Sequence, residues 1–66
     1  MTHREVRQAA RVSLEKAAVR ADVSSNTARL FEVAPTEVKD PFKRAALERV
    51  YTQLADEVQK RGASAA

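Results

Sequence analysis

The sequence predicts an all-α fold, a compact bundle of about four helices with a long C-terminal helix. Three observations predict it. Apolar residues recur at three- and four-residue spacings, as on one side of a helix. Side chains suited to helix N-caps stand immediately before those stretches. And 66 residues enclose one modest hydrophobic core at most, so the elements share it as a single domain, expected over residues 1–61 with a frayed tail at 62–66.

The first helix is expected from about Thr2 to Ala10. Thr2 and Glu5 have the spacing of a capping box, in which each side chain satisfies the other's backbone amide, and Val6, Ala9 and Ala10 mark an apolar side. Ser13 is placed to cap a second helix on which Leu14, Ala17, Ala18 and Ala21 share a face. Asp22-Val23-Ser24 breaks the pattern: Asp tolerates the left-handed conformation that a tight turn requires, Val23 is placed to plug the corner, and Ser24 can cap the next helix. That third helix is expected from Ser25 to about Glu32, pinned by Ala28 and Phe31.

Residues 33–40 read as a connector, because Pro35 opposes helix at the residue before it and lacks an amide of its own. Asp40-Pro41 is the strongest boundary in the chain. A capping side chain stands directly before a proline at the first helical position, where the missing amide costs nothing. The fourth helix should run from Pro41 to about Lys60 and end near Gly62, with Lys60 and Arg61 favourably placed at its negative end.

Composition excludes more than it identifies. The chain is 44% hydrophobic but only 5% aromatic, with alanine and valine supplying most of the apolar groups, so the core is expected to be thin and its stability marginal. There is no cysteine, hence no disulfide framework and no thiolate metal site. No stretch approaches the roughly 20 apolar residues of a membrane span, and the N-terminus has no apolar run of a signal peptide. A soluble cytoplasmic protein is expected. Catalysis is not expected: His3 is isolated, the chain has one glycine, and no cluster has metal-ligand or nucleophile–base spacing. No cofactor or metal is expected.

The charge distribution points to a polyanion. Residues 1–31 carry six basic side chains (Arg4, Arg7, Arg11, Lys16, Arg20, Arg29) against three acidic ones, whereas residues 32–66 balance six against six. All of the excess positive charge therefore lies in the half of the chain that carries the second and third helices along with the first. Arg29, one turn into the third helix, has the chemistry to read guanine or clamp backbone. Arg4, Arg7, Arg11, Lys16 and Arg20 are candidates for phosphate contacts, each also acceptable as ordinary surface charge.

The stretch VSLEKAAVRADVSSNTARLFE resembles the helix-turn-helix of bacterial and phage repressors of the LacI and Cro/Xre types, with alanine near the end of the first helix, valine and serine at the turn, and threonine early in the recognition helix. DPFKRAALERVYTQLADEV resembles the helix that comes after the connector in those families. The resemblance covers roughly residues 12–58, with the helix-turn-helix itself at 14–31. Asp22 stands where these families usually carry glycine, and Ala28 where a larger valine is common. The resemblance implies a sequence-specific DNA-binding head acting as a transcriptional regulator on double-stranded DNA, and hence a cytoplasmic protein associated with the nucleoid. It implies Ser25 and Asn26 at base edges, with Ser24 and Thr27 near phosphates. Paired hydrogen bonds from Asn to adenine, and hydroxyl contacts to bases or phosphates, agree with that assignment.

Leu47, Val50, Tyr51, Leu54 and Val58 form a core stripe on the fourth helix, yet Phe42, Ala45 and Ala46 lie on another side. Phe42, Leu47, Tyr51, Leu54 and Val58 are therefore also candidates for a homodimer seam or a partner surface. Two alternative functions are compatible with this pattern. An excisionase-like architectural factor would use the same prong while bending DNA. A protein-binding antiactivator would keep the shape and bind a regulatory protein through the apolar girth of the fourth helix.

Overall fold

The computed structural model describes residues 2–65, which form an all-α bundle: α1 (His3–Ala9), α2 (Leu14–Ala21), α3 (Ser25–Val33), a 3₁₀ turn at Pro35–Glu37, and α4 (Pro41–Ala65). At about 1.5 Å per residue α4 is about 37 Å long, which accounts for the long axis of the 39 × 19 × 17 Å molecule. The three short helices pack along it. No described helix is long and apolar enough to cross a membrane.

Each helix starts where a side chain replaces a missing backbone acceptor. Thr2 Oγ1 accepts from Glu5 N–H at 3.2 Å, and the Glu5 carboxylate accepts from Thr2 N–H at 3.2 Å, completing the capping box. Ser13 Oγ takes the Lys16 amide at 3.1 Å and Ser24 Oγ the Thr27 amide at 3.2 Å. Asp40 Oδ1 takes the amides of Phe42 and Lys43, at 2.9 and 3.2 Å, with Pro41 opening the helix. These four starts agree with the residues that predicted them.

α1 and α2 end the same way. Asp22 adopts φ 56°, ψ 45°; its amide bonds to Val19 O at 3.1 Å and that of Val23 reaches back to Ala18 O at 3.0 Å. At the end of α1, Arg11 adopts φ 58°, its amide bonds to Gln8 O at 3.0 Å and that of Val12 to Arg7 O at 3.2 Å. Both are Schellman ends, in which one left-handed residue lets two successive amides satisfy the last carbonyls. Val12 and Val23, the residues after the left-handed ones, then pack against the core. Asp22 was expected to turn left-handed; Arg11 was not.

The core joins Val6 of α1 and its C-cap Ala10, Ala18 and Ala21 of α2, Ala28 and Phe31 of α3, Val38 of the connector, and Leu47, Val50, Tyr51 and Leu54 of α4. Val38 shows that the connector contributes a core residue as well as a link, with the 3₁₀ turn delivering it. Small residues on α1 and α2 let α4 supply the bulk, and Phe31, Leu47 and Leu54 are the largest side chains wholly enclosed. The backbone of α4 passes Gly62, where its end was expected, because Ala63, Ser64 and Ala65 continue a helix at little cost. Of the frayed tail expected at 62–66, Ala66 lies outside the described residues.

Candidate nucleic-acid interface

α3 is held from behind by a polar network and an aromatic one. The Glu32 carboxylate receives Arg7 Nε at 2.5 Å, Arg7 Nη2 at 3.3 Å and the Tyr51 hydroxyl. Arg7 also donates Nη1 to Val12 O at 3.1 Å, bracing the end of α1. The Arg7 and Glu32 side chains are 13% and 5% exposed, so the forked pair replaces most of the water each ion has lost. The Glu32 hydrogen bond raises the Arg7 pKa above its already high ordinary value. Burial, and then the hydrogen bond to the Glu32 carboxylate, push the Tyr51 phenol well above its usual range. Beside this network His3, Phe31 and Tyr51 cluster, with ring centroids 4.7 Å (His3–Phe31), 5.3 Å (His3–Tyr51) and 5.4 Å (Phe31–Tyr51) apart. Both networks join α1, α3 and α4.

The outward side of α3 carries the residues expected to read DNA. Ser24, Ser25, Asn26 and Arg29 are exposed and Thr27 is half-buried. Ser24 and Thr27 share a hydroxyl–hydroxyl bond of 2.9 Å besides the cap. The first bond of the helical ladder is Ala28 N–H to Ser24 O at 3.1 Å; helix geometry leaves the Ser25 and Asn26 amides without intrahelical acceptors and directed out of the N-terminus. Asn26, Arg29, Leu30 and Val33 line one shallow depression on this side. A second depression is lined by Arg4, Leu14, Arg29 and Val33 together with the Arg7–Glu32 pair. Arg4 and Arg29 thus stand about one patch, while Ala28 and Phe31 on the other side of the helix are buried.

The remaining sequence-derived candidates divide. Arg11, Lys16 and Arg20 are exposed, Arg11 at the end of α1 and the other two along α2. Arg20 Nη1 lies 4.0 Å from Glu57 Oε1 with both side chains nearly half exposed, a surface pair of small energetic consequence. Arg7 is committed to Glu32. On α4, Leu47, Tyr51 and Leu54 are buried in the chain's own core and Val58 packs partly against it. The expectation that these residues form a seam or partner surface is corrected accordingly: the core-stripe alternative holds for them, because the three short helices together cover that face of α4. Phe42 is different, 86% exposed at the start of α4.

Two features were missed from the sequence. Leu30 and Val33 fall four and seven residues after Asn26, a spacing that places them on its face and was there to be read. Glu32 pairs with residues 25 and 19 positions away, and no local pattern announces such a contact. No family model, no curated protein and no solved structure matches this chain.

Proposed function

We propose that this protein is a small sequence-specific DNA-binding regulator that presents α3 to the major groove of double-stranded DNA. The observation that carries the reading is the two-sidedness of α3: Ala28 and Phe31 are locked into the core, while Ser25, Asn26 and Arg29 stand exposed at its start and along its outer side. α2, joined to α3 by the turn at Asp22-Val23-Ser24, braces it. A helix so held offers an N-terminus with unbonded amides to phosphate and side chains to base edges. Asn26 suits paired hydrogen bonds to adenine, and Arg29 suits guanine or a phosphate. Exposed Arg4, Arg11, Lys16 and Arg20 supply the cations that phosphate contact needs.

The test is selection of preferred duplexes from a random pool by the purified protein. The reading expects an enriched sequence, and expects Asn26→Ala to relax preference at one position by about 1–3 kcal/mol while the fold is kept. An unenriched pool would sink it. A second reading, a module that binds a regulatory protein, is favoured by one observation, the exposure of Phe42, a large apolar side chain the fold does not use. Substituting Phe42→Ser separates the two: DNA binding is retained under the first reading, and partner capture is lost under the second.

A further inference from the structure

Asn26, Arg29, Leu30 and Val33 succeed one another at i, i+3, i+4 and i+7 and line a single depression. α3 therefore has two apolar faces. The inner one, Ala28 and Phe31, is spent on the core. The outer one stands against water: Leu30 is 40% exposed and Val33 79% exposed, apolar area that a partner surface would gain by covering. The outer apolar pair is framed by a carboxamide at Asn26 and by the guanidinium of Arg29, with Arg4 beside Arg29 and Val33 in the adjoining depression. Cations around a small apolar patch complement a surface with negative charge at its margins and apolar groups between. The major groove has that character where thymines lie, since thymine alone among the four bases places a methyl group there, between two lines of phosphates.

We propose that Leu30 and Val33 are specificity-determining residues that contact thymine 5-methyl groups, so that the preferred site is rich in A·T pairs beneath α3, with Asn26 reading an adenine next to them. The proposal rests on the DNA-binding reading and deepens it. Each thymine of a selected duplex is replaced in turn by deoxyuridine, which removes the methyl and keeps every hydrogen-bonding group of the pair, and affinity is measured by fluorescence anisotropy. Affinity should fall about fourfold per contacted thymine, the effect of withdrawing one methyl-sized apolar group from contact. That difference should shrink at the thymine facing Leu30 in Leu30→Ala and at the thymine facing Val33 in the near-isosteric Val33→Thr, whose circular dichroism melts report that the fold is intact. Equal affinity for the thymine and deoxyuridine duplexes overturns the proposal and leaves the DNA reading standing. A methyl effect that persists undiminished in both variants overturns the assignment to Leu30 and Val33. Absence of binding to any duplex at low salt overturns both readings and leaves the exposed face to a protein partner.

Discussion

A carboxylate that is 5% exposed keeps its charge only if donors replace the lost water, and Glu32 has donors from two helices, Arg7 of α1 and Tyr51 of α4. Removing one member strands the other in a dry site. Glu32→Ala and Arg7→Ala should each cost about 3 kcal/mol, and the paired apolar replacement Arg7→Met with Glu32→Leu much less, as read by urea unfolding; single-variant losses below about 1 kcal/mol would contradict this. Tyr51 makes the network visible, because it is the only tyrosine and the chain has no tryptophan. Its phenol is raised, first by burial and then by Glu32. A raised folded-state pKa means that the folded chain holds its proton longer than the unfolded one, so this stability is fully present below about pH 10, the ordinary tyrosine value, and is lost as pH rises beyond it. Ultraviolet titration should show phenolate appearing together with loss of helical signal. Phenolate forming near pH 10 in a fully folded chain would refute the burial. Little of this was legible beforehand, since Arg7 reads locally as one more basic residue and Glu32 as the end of a helix.

At the level of elements the sequence was far more transparent, for a physical reason: caps are local. Thr2 with Glu5, Ser13, Ser24 and Asp40-Pro41 each act on amides two or three residues away, so a short window contains both partners. The Glu5 carboxylate is held below its usual range, first by the Thr2 backbone amide and then by the Thr2 hydroxyl. A lowered folded-state pKa contributes stability above the ordinary glutamate value of about 4.3 that fades as pH falls through the folded one. Left-handed ends are legible only when the residue favours them. Asp22 does; Arg11 carries no such signal, and was forced into φ 58° by the Val12 packing and the two carbonyls it helps to satisfy. Arg11→Gly should therefore stabilise by about 1 kcal/mol, raising the thermal midpoint by roughly 4–8 °C in a domain of this size. Asp22→Gly should gain less, because Asp already tolerates that conformation. Asp40→Ala should lose about 1 kcal/mol with its cap. Thermal melts rank the three, and a gain from Asp22→Gly exceeding that from Arg11→Gly would reverse the account.

For the whole molecule, Ala10 at the end of α1 and the buried alanines of α2 and α3 keep the helices close and the core thin, and a domain this small holds only about 3–5 kcal/mol of stability from its core. The Arg7–Glu32–Tyr51 network and the His3–Phe31–Tyr51 cluster therefore matter to orientation as much as to stability. They tie the last turns of α3 to α1 and α4, and so fix the direction in which Asn26, Arg29, Leu30 and Val33 face. The fold class and the packing faces of α2 and α4 were legible in the periodicity, whereas on α1 Val6 and Ala10 are buried and Ala9, expected beside them, is exposed. Which basic side chains are exposed was not, because Arg7 and its neighbours share one charge in the sequence and different surroundings in space.

The proposed DNA binding is tested most directly by fluorescence anisotropy of the intact chain on duplex DNA across a salt series. With Arg4, Arg11, Lys16 and Arg20 at phosphates, the slope of log affinity against log salt should be about −3.5. Arg11→Gly, which keeps the fold, should lessen that slope by about 1, and Asn26→Ala should leave it unchanged while weakening sequence preference. No binding at low salt, or binding whose affinity does not change with salt, would contradict the account.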